Sequence, residues 1–243
     1  MSETPAAAPK QRSPVFYILL GCGGLAGLIC LGGAVVLFGI GKTFKDLGEG
    51  VTDPVTRKEN AIKQLGGIPE GYEVVASFNV FIMQMTMMTD APATPDGGFD
   101  VKPENHTFMF FDVMANENNK ASRDFLMGKE TDPQALQRSG ITIDAKNLVK
   151  RGQLTVDGRK LYWVASRGRM DTGPRGQRAG TPAQEGINTA ILFDCPGDAL
   201  KVGIWSQLDP APEKTVEELE LAGTVADEAE LVRFLKPMNP CGK

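Results

Sequence analysis

Histidine is nearly missing from this chain of 243 residues, in which His106 is the single copy. Zinc and non-haem iron centres that rest on several imidazoles cannot be assembled from one. A Ser-His-Asp triad would have to use His106, and the G-x-S-x-G turn that would present its serine is absent. His106 stands inside a formal glycosylation sequon, Asn105-His106-Thr107, and reads as a loop residue at the start of a strand. No metal and no cofactor is expected.

Cysteine is scarce as well. Of four copies, Cys22 and Cys30 fall in an apolar segment, which leaves Cys195 and Cys241 as the pair available to the rest of the chain. In an exported domain that pair permits a disulfide, fastening the C-terminal tail to the body. A basic surplus is also lacking: the net charge is −4, so no nucleic-acid partner is expected. Two formal nucleotide matches fail on context. Gly21-Cys22-Gly23-Gly24-Leu25-Ala26 fits G-x-G-x-x-A but lies in the apolar segment, not between a strand and a helix. Gly41-Lys42-Thr43 resembles the end of a phosphate loop, yet the required earlier glycine is Val36.

What is present begins with Ser13 to Gly41, 29 residues without a charged side chain, between Arg12 and Lys42. As a helix it would be roughly 43 Å long, enough to cross a hydrocarbon core of ~30 Å with some tilt. A cleaved secretory signal would have a shorter apolar region. Leu19-Leu20-Gly21-Cys22 resembles a bacterial lipobox, but lipidation at Cys22 would leave Gly23 to Gly41, another apolar run, where a polar tether belongs. The reading adopted is an uncleaved span over residues 14–41 in the lipid bilayer, after a tail of residues 1–13. Small residues line one stripe of it, Cys22, Ala26, Cys30 and Ala34, with Gly23-x-x-x-Gly27 beside them. Gly23, Ala26, Gly27, Cys30 and Ala34 are therefore the candidate face for homo- or hetero-oligomer formation between helices. Lys10 and Arg12 before the span compete with Lys42, Lys45, Arg57 and Lys58 after it. Because large domains translocate largely regardless of charge, the N-terminus is placed inside and residues 42–243 outside.

Residues 42–67 read as a connector and one helix. Asp53 is its N-cap, Pro54 its first residue, and Gly66-Gly67 its stop, giving Pro54 to Leu65. The remainder, 68–243, has the length of one globular domain. Strands are expected at Tyr72–Phe78, Val80–Thr89, Thr107–Met114, Asn188–Phe193 and Lys201–Gln207, and short helices at Ala121–Met127 and Pro133–Ser139. Leu148–Val156 and Leu161–Arg169 flank Asp157-Gly158, a dipeptide suited to a tight hairpin. Thr224 and Asp227 form a capping box for a last helix over about Ala226–Lys236. Strands joined by short turns, without regular strand–helix alternation, indicate α+β architecture: one N-terminal transmembrane helix, then a mainly antiparallel β-sheet domain with a few short helices.

Two residue patterns bear on function. Lys150, Arg151, Arg159, Lys160, Arg167, Arg169, Arg175 and Arg178 face only Asp157 and Asp171 in their stretch, while Glu213 to Glu230 is acidic. Arg151, Arg159, Lys160, Arg167, Arg169, Arg175 and Arg178 are the candidate contact surface for an anionic partner, against a reading in which the two stretches neutralise each other. Met83, Met85 and Met87 alternate along one strand, with Met88, Met109 and Met114 nearby. Thioethers so spaced could hold Cu(I), or they could fill a core together with Phe81.

In architecture the chain resembles single-pass bacterial envelope proteins: a Pro/Ala tail, one Gly-rich span and a modest exported domain. The resemblance covers no specific motif and implies location alone, the inner membrane with the C-terminal domain on the periplasmic side. The function expected is a non-catalytic binding or structural module of the envelope, one subunit of a membrane complex with an envelope protein as partner. Two alternatives stand beside it. One is a membrane-anchored, carboxylate-dependent hydrolase of cell-wall material; the other is a Met-rich copper-handling protein.

Overall fold

The computed structural model describes residues 53–80, 83–94, 99–100, 102, 104–114, 117–132, 134–137, 147–168, 186–197 and 199–242. The expected span at 14–41, its small-residue face and the connector before Asp53 lie outside them. Among the described residues no helix is long and apolar enough to cross a membrane.

Seven strands form one antiparallel sheet. In chain order the elements are α1 (Pro54–Leu65), β1 (Glu73–Val80), β2 (Met83–Thr89), β3 (Thr107–Val113), α2 (Glu117–Leu126), α3 (Gln134–Gln137), β4 (Leu148–Val156), β5 (Arg159–Gly168), β6 (Gly186–Phe193), β7 (Leu200–Leu208) and α4 (Glu228–Leu235). The sheet order is β1-β2-β3-β7-β6-β5-β4. The α+β architecture of a mainly antiparallel sheet with a few short helices is thus the fold. β6 and β7 sit inside the sheet, and every residue of β6 is buried, as its nearly continuous apolar sequence requires.

Strand alternation sorts the core into two layers. On one face Phe108, Phe110, Leu161, Trp163, Ile191 and Phe193 pack with Leu231, Phe234 and Leu235 of α4 and with Ala61 and Leu65 of α1. On the other face Val164, Ala190, Leu192, Val202 and Ile204 meet Phe125 and Leu126 of α2 and Leu136 of α3. The three α4 side chains are buried, each worth about 1.5–3 kcal/mol relative to exposure. Gly203 makes this packing possible, since a Cβ there would stand 2.5 Å from the Phe108 ring.

Both sheet edges are protected. Arg57 of α1 donates to the carbonyl of Val75 at 3.1 Å, and Gln64 donates to that of Phe78 at 3.3 Å. The helix thereby occupies outward carbonyls of edge strand β1. Gln64 also accepts from Thr86 at 2.7 Å, so a buried Ser77–Thr86 pair is tied into the same contact. Edge strand β4 carries exposed Lys150 and Arg151 and a register shift between Leu148 and Lys150, features that discourage further strand addition.

The α1 helix has the bounds read from Asp53-Pro54 and Gly66, and Gly66 adopts φ 79°. Asp157 and Gly158 have φ of 48° and 77°, the left-handed pair of a tight hairpin. β1 runs through Asn79 to Val80, where Asn79 pairs with Gln84 inside the ladder, so the expected break at Asn79 is absent. The α2 helix starts at Glu117, four residues before Ala121, because its first turn is polar and shows no apolar period. Asp227 is itself the N-cap of α4, accepting from Ala229 at 2.9 Å and Gly223 at 2.8 Å, whereas Thr224 accepts from Ala226. A carboxylate can take two backbone donors at once, which displaces the expected Thr224 cap.

Both Asp caps titrate low. The Thr56 hydroxyl holds Asp53 below its ordinary value, and the backbone N–H groups of Gly223 and Ala229 do the same for Asp227. A lowered folded value means stability that is present above the unfolded value and lost as pH falls through the folded one. Asp227→Ala is expected to cost about 1 kcal/mol in urea unfolding at neutral pH. Asp227→Asn is expected to retain most of the cap while removing this site's share of the acid-induced loss below about pH 4. Wild-type stability in Asp227→Ala would show that the cap carries no weight.

Candidate functional site

The turn Ile68-Pro69-Glu70-Gly71 brings Tyr72 back over the sheet, with Gly71 at φ 80° and the Tyr72 N–H donating to Pro69 at 3.2 Å. Its hydroxyl accepts the Trp205 indole N–H at 2.8 Å. Phe234 stacks on Trp205, with ring centroids 4.1 Å apart and an interplanar angle of 6°. It meets Tyr72 and Phe108 edge-on at 5.0 and 5.1 Å. Burial pushes the Tyr72 phenol well above its ordinary value, against the lowering influence of the Trp205 N–H, so the hydroxyl stays neutral.

Beside this cluster, Thr89 and Thr107 close the β2–β3 ladder, which sets Asp90 opposite His106 just beyond it. One Asp90 oxygen lies 2.6 Å from His106 Nδ1 and the other accepts the His106 backbone N–H at 2.8 Å. The His106 carbonyl is held by the Thr89 hydroxyl at 3.0 Å. A carboxylate accepts only, so Nδ1 carries the proton of this contact, and in the neutral imidazole Nε2 is then an acceptor.

Tyr72, His106, Asp90, Trp205 and the α4 residues Glu230 and Arg233 line a cleft of about 1050 Å³. Its aromatic floor is closed, since Trp205 and Phe234 are each only 5 % exposed. Its carboxylates are largely engaged: Asp90 with His106, Glu230 with Arg233, and Asp157 with Arg159 at 3.6 Å. A second groove of about 810 Å³ runs along α1 between Val55, Ile62, Ile68 and Phe99.

The described cations of the basic stretch do not share one surface. Arg151 and Lys160 lie on the α2 face, where Arg151 stands 5.1 Å over the Phe125 ring. Arg159 lies on the α4 face, donating to Val156 at 3.1 Å and to the Lys236 carbonyl at 3.2 Å. Arg167 points into the same face. Its Nε lies 2.5 Å from Asp209 Oδ2, and its Nη groups donate to the carbonyls of Ala211 and Lys214. At 14 % exposure against 3 % for Asp209, Arg167 is a structural tie that presents little surface for a contact. The cause is the two-residue period of a strand, which sends cations at odd and even positions to opposite faces. Arg169, Arg175 and Arg178 lie outside the described residues. Lys150 pairs with Glu228 at 3.1 Å, one instance of the acidic stretch neutralising the basic one.

Cys195 and Cys241 are joined by a disulfide. Met83, Met85 and Met87 are half-buried on one face of β2, and Met109 pairs with Met87 in the ladder. Met88 is buried on the opposite face, and Met114 is exposed. Among the described residues no group of three His, Cys, Asp or Glu side chains is placed to hold a metal ion.

Sequence reasoning missed the Asp90–His106 pair. Its signal was the position of the two residues immediately after one strand and immediately before the next, but their register became visible only in the fold. Comparison of the chain with protein-family models and with curated proteins gives no match.

Removing Arg167 leaves the Asp209 carboxylate buried without its cation. Arg167→Met is expected to cost about 3–5 kcal/mol, lowering the melting temperature by roughly 10 °C at ~2–4 °C per kcal/mol. Adding Asp209→Leu to that variant is expected to restore part of the loss. A melting temperature unchanged by Arg167→Met would return Arg167 to the list of free surface cations.

Proposed function

We propose that this chain is a single-pass, membrane-anchored, non-catalytic binding module of the cell envelope, and that the cleft beside α4 is where it meets its partner. The observation that carries the reading is the pairing of an uncharged stretch long enough to span a bilayer with a domain that bears a preformed cleft. The proposed location is a bacterial inner membrane, with the domain on the periplasmic side. The Cys195–Cys241 bond supports an oxidising compartment. Tethering would act through effective concentration, since a domain held near the bilayer meets membrane partners more often than a free one. The small-residue face at Gly23, Ala26, Gly27, Cys30 and Ala34 offers a second route to a complex, through helix association.

Binding is favoured over hydrolysis by the state of the cleft's acids. A carboxylate mechanism needs one acid free to donate a proton and another free to attack or activate water. Here Asp157 and Glu230 are each paired with an arginine and Asp90 is hydrogen-bonded to His106, which leaves Glu70 as one lining acid where two are needed. Among the described residues no Ser, Thr or Cys side chain is hydrogen-bonded to the His106 ring, so the Asp90–His106 pair lacks the nucleophile of a triad.

Membranes carrying the full chain and membranes carrying a form that begins at Asp46 should be washed with alkaline carbonate. The full chain is expected in the membrane pellet and the shortened form in the supernatant. Release of the full chain by the wash would end the proposal of a membrane span.

A further inference from the structure

Two polar side chains that line the cleft, Tyr72 and His106, both neighbour the Trp205 indole. The Tyr72 oxygen receives the Trp205 N–H, and among the described residues its own proton has no acceptor. His106 spends Nδ1 on Asp90, so in the neutral ring, 31 % exposed, the lone pair of Nε2 is left for the cleft. The His106 and Trp205 rings are 6.0 Å apart, so both groups belong to one end of the site.

From this geometry we propose that the cleft binds a neutral secondary amide of an extended polypeptide, with Tyr72 donating to its carbonyl and the Nε2 atom of His106 accepting its N–H. The inference rests on the cleft's being the contact site of the proposed binding module, and it names the partner chemistry. A free anion is disfavoured by Glu70, Asp90 and Glu230 on the walls, and a free cation by Arg233 and Lys236. A neutral group that both donates and accepts matches what the walls offer. An N-acetylated sugar carries the same amide, but a sugar ring also wants an open aromatic face. Trp205 and Phe234 spend theirs on each other. Ile68, Pro69 and Pro237 instead form an apolar margin suited to side chains flanking a peptide bond. The cleft is large enough for several residues of extended chain.

Because His106 is the only histidine, histidine-selective ¹³C/¹⁵N labelling of the full chain in nanodiscs yields one imidazole whose signals need no assignment. The probe is N-acetyl-alanyl-alanine N-methylamide, titrated to roughly 50 mM so that millimolar affinity is visible. A saturable shift of the His106 ring signals is expected. The analogue with an ester in place of the central N–H is expected to bind several-fold more weakly, as is the amide to Tyr72→Phe, each having lost one hydrogen bond. Equal affinity for amide and ester overturns the proposal without depending on any variant. A response to N-acetylglucosamine but not to the peptide overturns it in favour of a sugar site and leaves the cleft as the binding site. Silence of His106 toward both overturns the cleft assignment as well. Retention of the chain in the nanodisc reports separately on the anchor.

Discussion

Phe234 reaches from α4 into the sheet and touches three aromatic rings supplied by distant parts of the chain: Tyr72 before β1, Phe108 on β3 and Trp205 on β7. Truncating such a buried ring costs about 3–5 kcal/mol, a large fraction of a small domain's net stability. The contact also has a geometric role. Stacking fixes the Trp205 plane, and the indole N–H then fixes the Tyr72 hydroxyl. Trp205 pairs with Phe108 across the β3–β7 ladder, which continues toward His106 just beyond Thr107. The cleft is therefore a consequence of how this face of the sheet is closed. The Tyr72 hydroxyl is held by buried Trp205, and His106 is held through its carbonyl by buried Thr89 and through its ring by half-buried Asp90, which favours a preorganised site.

The segment after α4 is fastened at several points. The Asn239 N–H donates to the Leu65 carbonyl at 2.5 Å, and Lys201 donates to Pro240 at 2.8 Å while pairing with Asp112 at 3.0 Å. The Cys195–Cys241 bond closes a separation of 46 residues. In the chain-entropy account a loop of that size is worth about 4 kcal/mol through restriction of the unfolded chain. The tail thus joins the C-terminal end of α1 to β7 and to the exit of β6. Through Arg57 and Gln64, α1 in turn covers the carbonyls of edge strand β1. Edge protection at one side of the sheet and closure of its face by α4 are parts of one connected arrangement.

Local chemistry made much of this fold legible beforehand. Asp53-Pro54 and Gly66 bracket α1 because a cap, a fixed φ and a left-handed stop act within single turns. Asp157-Gly158 marks its hairpin for the same reason, and β6 announces its burial by composition. Functional geometry was less accessible. The basic stretch looked like one surface because sequence places Arg151, Arg159, Lys160 and Arg167 together, while strand parity distributes them to opposite faces. Arg167 needed Asp209, 42 positions later, to reveal it as an internal tie. Asp90 and His106 are 16 positions apart with a Pro-rich sequence between them, and only the β2–β3 register sets one against the other. Long-range pairing governs these residues, and no local propensity encodes it.

α4 and the sheet form a single cooperative unit joined at Phe234, so the cleft exists whenever the domain is folded. Native-state hydrogen exchange across increasing denaturant tests this most directly. The Leu231–Leu235 amides of α4 and the central amides of β3 and β7 are expected to converge on the same opening free energy, that of global unfolding. Exchange of the α4 amides through a separate, lower-energy opening, with β3 and β7 still protected, would contradict it and make the cleft a transient feature of an independently folded sheet.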